Sequence, residues 1–115
     1  MAEIKAITAK IRKFRDERDW KQFHNHKDVA LSLVLEAAEV LEHFQWKSPQ
    51  EVKEHGEACR SEISDELADV AIYLFELADN LGIDLPKAID IKMKKNVLKY
   101  PVEKARGRHT KYSNL

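Results

Sequence analysis

Apolar residues in this chain recur at three- and four-residue intervals over long stretches, and little interrupts them, since Gly and Pro occur only three times each among 115 residues. That combination leaves few tight turns and favours a small number of long helices. Ile4, Ile7, Ile11 and Phe14 lay one apolar stripe along a helix expected over 3–17. A polar and aromatic connector, Arg18 to His24, follows. Asn25 reads as an N-cap with Asp28 three residues on, and predicts a helix that continues to about Trp46. Ser48-Pro49-Gln50-Glu51 combines an N-cap Ser, a first-turn Pro and a capping-box Glu, and predicts a short helix interrupted near Gly56. A third long helix is expected from about Glu57 to Asn80, ending at Leu81-Gly82. Asp84 caps a fourth, with Pro86 in its first turn, which runs to about Tyr100 before Pro101 stops it. Little reads as strand, so the expected fold is all-α and four-helix-bundle-like. The expected organisation is one helical domain over 1–101 and a basic tail over 102–115.

Formal net charge is zero, with twenty acidic and twenty basic residues, so no global footprint for nucleic acid or a membrane surface exists. The signs are unevenly spread. The stretch from Lys92 to Lys111 is mostly basic, whereas Glu36 to Glu76 is rich in carboxylates. Such asymmetry suits an anionic ligand whose charge is met partly by metal and partly by Lys or Arg. Cys59 is the only cysteine, which rules out an intrachain disulfide and points to a reducing, cytoplasmic compartment. The first helix is amphipathic without the apolar core of a signal peptide, and no segment approaches the length of a membrane span.

At about 100° per residue, the second helix separates into two apolar arcs, Val29, Leu33, Ala37, Val40, Leu41 and Phe44 on one side and Leu31, Leu35 and Ala38 on the other. Between them runs a narrow polar stripe of Ser32, Glu36, Glu39 and His43. A helix apolar nearly all round is expected to be mostly buried, and buried carboxylates are costly unless paired or bound to metal. On the third long helix, Ile63, Leu67, Val70, Ala71, Leu74, Leu77 and Ala78 form the expected packing face. Glu62, Glu66, Asp69, Tyr73 and Glu76 line the opposite side. Glu66 and Asp69 reach from consecutive turns, as Glu36 and Glu39 do. Side by side, the two helices would bring four hard oxygen donors to one Mg²⁺ or Mn²⁺. Either motif alone is more often a solvated face; it is their pairing that suggests a site.

Glu36-Ala37-Ala38-Glu39 followed by Glu66-Leu67-Ala68-Asp69 resembles the E-x-x-E and E-x-x-D motifs of the MazG-like nucleotide pyrophosphohydrolases. The likeness is to the dCTP pyrophosphatase type, and it extends through Glu17 to His24, Phe44-Gln45-Trp46-Lys47, Ile72-Tyr73-Leu74, Asp84-Leu85-Pro86 and Lys99-Tyr100-Pro101-Val102. The resemblance implies Mg²⁺-dependent hydrolysis between the α- and β-phosphates of a nucleoside triphosphate, giving monophosphate and pyrophosphate. It implies Glu36, Glu39, Glu66 and Asp69 as catalytic metal ligands, with Glu39 the first choice for a base. It further implies Trp20 and Trp46 flanking the base, His24 and Tyr73 near base or sugar, and Lys92, Asn96 and Tyr100 on phosphate and sugar. Arg18, Arg106 and Lys111 are further candidates for phosphate or neighbouring-chain contacts. Two departures stand out: Ile11 occupies a position that is histidine in dCTP-preferring relatives, and His26 replaces a proline after the N-cap. The family assembles as a homotetramer, a dimer of dimers with shared sites, and the same is expected here.

Three other readings fit the residues less well. A di-iron carboxylate bundle needs Glu-x-x-His pairs, and here His43 follows Glu39 by four and Glu42 directly. A non-enzymatic helical interaction module would use the same charged faces for a partner and would show neither metal dependence nor nucleotide turnover. A dUTPase-like or phosphoribosyl-ATP specificity within the superfamily is disfavoured by Trp20 and Trp46.

Overall fold

A computed structural model describes residues 2–115, and the described residues form helices and turns without a strand. Helix α1 spans Ala2–Glu17 and leads through a 3-10 turn at Lys21–Phe23 into α2, His26–Glu42. Then come α3, Pro49–Ala58, and α4, Arg60–Asn80, followed by α5, Leu85–Lys99, the single turn α6, Val102–Ala105, and a 3-10 turn at Tyr112–Asn114.

The helix starts follow the capping chemistry written in the sequence. Asn25 Oδ1 accepts from Asp28 N at 2.9 Å, and Asp84 Oδ1 accepts from Lys87 N at 3.2 Å. At Ser48 the box is reciprocal: Ser48 Oγ accepts from Glu51 N at 3.2 Å and Glu51 Oε1 accepts from Ser48 N at 3.1 Å. Those bonds favour the charged form of Glu51 and hold its carboxyl below the ordinary glutamate range.

Two boundaries differ from expectation. Helix α2 ends at Glu42 rather than Trp46, because the Leu41 carbonyl accepts from both Phe44 N and Gln45 N at 2.9 Å and winds the chain into a tight turn. Trp46 then takes a φ of 66°, a left-handed conformation that redirects the backbone into the Ser48 cap. The break before the long acidic helix falls at Cys59, with φ −108° and ψ 29°, and not at Gly56, which lies inside α3.

The chain divides into two compact units, one ending at Gly82 and one from Ile83 to Leu115. In the first, α2 lies along α4, while α1 and α3 pack against α4 over smaller areas. The buried apolar side chains are Val29, Ile63 and Ala78, of which only Val29 is fully enclosed. Expectation fails here in an informative way. Leu31, Val34, Leu35 and Leu41 of α2 are exposed, and so are Leu67 and Leu74 of the presumed packing face of α4. Ile63 and Ala78 of that face are buried as expected. Of the polar edge, Glu62 and Asp69 stay exposed, while Glu76 is turned inward, only 3% exposed. Burial of that carboxylate is tolerated because partners meet it. His24 Nδ1 donates to Glu76 Oε1 at 2.7 Å, and Arg15, 4% exposed, places NH1 at 3.6 Å from the same oxygen. Arg15 NH1 also donates to Asn80 Oδ1 at 2.9 Å, and Arg12 forks onto Asp79 at 2.7 and 3.1 Å. The α1–α4 seam is thus polar.

In the second unit, the segment expected as an aperiodic tail carries α6 and the last 3-10 turn. Tyr100 and Tyr112 meet edge-on at 6.0 Å, and Lys99 Nζ lies 4.6 Å over the Tyr112 ring.

Candidate active site

Glu36 and Glu39 project from consecutive turns of α2, and Glu66 and Asp69 from consecutive turns of α4. Burial is the first cause that pushes the Glu36 carboxyl above the ordinary glutamate range. A hydrogen bond and charge from Glu39 add to it, and then the charges of Asp69 and Glu66. The charges of the other three carboxylates thus all reach Glu36, two of them across the α2–α4 contact. Glu36 Oε2 and Glu66 Oε2 are sealed from solvent with no hydrogen-bond partner, an arrangement that natural interiors rarely leave uncompensated. His43 Nε2 stands 2.5 Å from Glu66 Oε2, close enough for an ion-pair contact but off the hydrogen-bond axis.

A divalent cation suits these residues. Two buried carboxylate oxygens without donors offer lone pairs that a hard cation can take, and mutual repulsion among four carboxylates is relieved by positive charge. Among the described residues no three of these side chains already close into one coordination sphere. Glu39 and Asp69 are exposed and give the cluster its open side.

Beside the carboxylates lies a cavity of about 340 Å³ whose walls include Ile11, Phe14, Trp20, His24, Asp69 and Tyr73. Helix α1, the connector and α4 build it together. Phe14 meets Trp20 edge-to-face at 5.7 Å and 75°, which fixes the indole. His24 is oriented by its bond to Glu76. Burial first, then the Glu36, Asp69 and Glu76 charges, hold the Tyr73 phenol above its usual range, so it remains a hydroxyl donor at neutral pH. The volume lies at the lower end for small-molecule sites, large enough for a heterocyclic base but not for a whole nucleotide.

The expected residues sort into three groups. Trp20, His24, Asp69 and Tyr73 share the cavity, with Glu36, Glu39 and Glu66 alongside. Trp46 is not on its wall; it sits 93% exposed on the turn after α2. Lys92, Asn96 and Tyr100 occupy successive turns of α5 in the second unit. Arg18 stacks its guanidinium 3.7 Å over the Phe14 ring and so supports the cavity wall from outside. Ile11, the departure from histidine, lines the cavity and leaves that wall apolar.

Two features escaped the sequence reading. Arg15 gave no signal, because nothing along α1 marks one arginine as buried; Glu76 was visible only as a member of a polar stripe. His43 and His55 pair, His43 Nδ1 to His55 Nε2 at 2.8 Å, although they come from different helical segments.

The MazG-like family model matches residues 31–115, which hold all four carboxylates. The chain is 43% identical over 104 residues to dCTP pyrophosphatase 1 of Rattus norvegicus and 42% identical over 104 residues to that of Homo sapiens. Each alignment covers 89% of this chain and 61% of the relative, so the chain spans about three fifths of the length of these proteins. In structure it is similar to a pyrophosphatase from Archaeoglobus fulgidus, with a TM-score of 0.83 and 41% identity over 86% of this chain and 93% of that one. An all-helical chain with paired acidic motifs on adjacent helices, matched by the family model over most of its length, belongs to the MazG-like family.

Proposed function

We propose that this protein is a Mg²⁺-dependent nucleotide pyrophosphohydrolase, cleaving a deoxynucleoside triphosphate between the α- and β-phosphates to monophosphate and pyrophosphate. The observation that carries the reading is the convergence of Glu36, Glu39, Glu66 and Asp69 beside an aromatic cavity of base size. The relatives named dCTP pyrophosphatase 1 support dCTP or a modified dNTP as substrate. The apolar Ile11 wall offers no polar group to read the edge of a base at that position, and so favours tolerance of modified bases.

Glu36 and Glu66, with buried oxygens that lack donors, are the primary holders of the cation, and Asp69 completes the set toward the open side. Bound there, Mg²⁺ would neutralise phosphate charge and lower the pKa of an attacking water. Glu39 is exposed beside Glu36 and is placed to accept the proton of that water. Trp20 offers a stacking face and Tyr73 a hydroxyl to the sugar side. Lys92, Asn96 and Tyr100 provide a cationic and hydrogen-bonding face for phosphate and sugar.

A second copy of the chain belongs to this reading. Trp46 and Trp20 cannot flank one base within one chain when Trp46 is absent from the cavity wall. The exposed leucines of α2 and α4 provide the surface for association, as a homotetramer built from dimers. No helix of the described residues is long and apolar enough to cross a membrane, and a single free thiol suits the reducing cytoplasm.

The test is incubation of a nucleotide panel with protein and Mg²⁺. Monophosphate and pyrophosphate are expected, with Glu39→Gln and Asp69→Asn inactive but still helical by circular dichroism. Orthophosphate as the product, or full turnover in both variants, overturns the assignment.

A further inference from the structure

A line of side chains outside the carboxylate cluster leads into it from α3. Cys59 Sγ lies 3.7 Å from His55 Nδ1, His55 Nε2 lies 2.8 Å from His43 Nδ1, and His43 Nε2 lies 2.5 Å from Glu66 Oε2. His43 caps the end of α2, His55 sits in the last turn of α3, and Glu66 is on α4, so three helices meet along this line. Both rings are half-buried, and they stack obliquely with centroids 5.0 Å apart.

The His43–Glu66 approach is a close polar contact off the hydrogen-bond axis. The chemistry of the atoms sets which nitrogen carries hydrogen along the line when both rings are neutral. A carboxylate only accepts, so His43 Nε2 carries the hydrogen that faces Glu66. Neutral His43 then presents Nδ1 as an acceptor, which requires His55 to donate from Nε2. His55 Nδ1 is left as an acceptor, and the Cys59 thiol is the donor at the end. All groups are used once, with no conflict and no extra proton.

We propose that His43 is a positioning residue for Glu66, and that His55 fixes its tautomer and ring plane. Without such a partner, the Glu66 carboxylate is repelled by Glu36 and free to rotate its buried oxygen away from the cation. The imidazole, 2.5 Å from that oxygen, holds it in place. Partners of this kind behind a ligating group set its orientation and commonly change metal affinity by about 10–100-fold. The proposal rests on Glu66 as a metal ligand.

Mn²⁺ binding to the protein, followed by electron paramagnetic resonance of the free ion, tests it. Glu66→Gln is expected to lose most of the affinity, which establishes the ligand. His43→Leu, which preserves bulk but removes both nitrogens, is expected to weaken binding on the order of tenfold or more. His55→Leu should weaken it by a smaller factor, and His55→Gln, which keeps a donor toward His43 Nδ1, should restore it. A purely structural tie between α2 and α3 would lower the thermal midpoint in both His55 variants without separating them in affinity. Nitrogen-15 spectra of the wild-type protein provide a readout independent of any variant, with His43 expected as the Nε2–H tautomer. Unchanged Mn²⁺ affinity in a folded His43→Leu protein, or the Nδ1–H tautomer in the wild type, overturns the positioning role while leaving the metal site intact. Failure of the wild type to bind Mn²⁺, or full binding by Glu66→Gln, overturns both.

Discussion

Glu36 holds its proton more tightly in the folded chain than a solvated glutamate does, first through burial and then through Glu39, Asp69 and Glu66. Between the ordinary glutamate range and the raised value, the folded metal-free state binds more protons than the unfolded one. Its stability therefore falls as pH rises through that window and is recovered as pH drops below it. Replacing Glu36 with Gln removes the charge that causes the fall. Metal-free Glu36→Gln is expected to melt higher than wild type at neutral pH, with the gap closing in mild acid. Thermal melts across that range check this, and parallel curves for the two proteins contradict it. The sequence made Glu36 conspicuous, since a carboxylate flanked by two apolar arcs has to be compensated. It did not show that Glu39 would remain exposed while Glu66 would lose solvent from one oxygen. That difference depends on the rotation of α4 about its own axis, which no single-helix pattern specifies.

At the scale of elements, helix starts were legible because their caps are local. Asn25, Ser48 and Asp84 each satisfy an amide within three residues, and each appears where the sequence places it. Helix ends were less legible, as the early stop of α2 shows. The α1–α4 seam was not legible at all. It is held by Arg15 and Glu76, buried together, with Asn80 and His24 completing their bonds. Such a pair is sensitive to halving and tolerant of joint replacement. Glu76→Ala removes the carboxylate that His24 and Arg15 meet, while Asp16 still pairs Arg15 at 2.9 Å, and is expected to cost about 1–3 kcal/mol in urea unfolding. The double change Arg15→Met with Glu76→Leu is expected to be near neutral or stabilising. Equal losses in the two proteins would show that the seam depends on shape rather than on charge pairing.

Among the described residues, three buried apolar side chains, only Val29 of them fully enclosed, sit against a long run of exposed ones. Full burial of one such side chain contributes about 1.5–3 kcal/mol, so this core is small against the entropy of ordering the chain. Leu31, Val34 and Leu35 of α2 are exposed, and in the proposed assembly they would be covered by other copies. Sedimentation is expected to show an assembly of several chains. Leu31→Glu combined with Leu35→Glu is expected to reduce its size and abolish nucleotide turnover together. A wild-type monomer that is fully active would contradict the shared-site reading.

Sequence alone determined the all-α class, the helix starts and the one-turn spacing within Glu36/Glu39 and within Glu66/Asp69, because periodicity and capping act over a few residues. Tertiary structure decided which faces those helices bury. It turned Glu76 of α4 inward, left leucines outside, and joined Arg15 to Glu76 and His43 to His55. A charged edge can enter an interior only when partners distant in sequence arrive to satisfy it, and their arrival is a property of the packed chain.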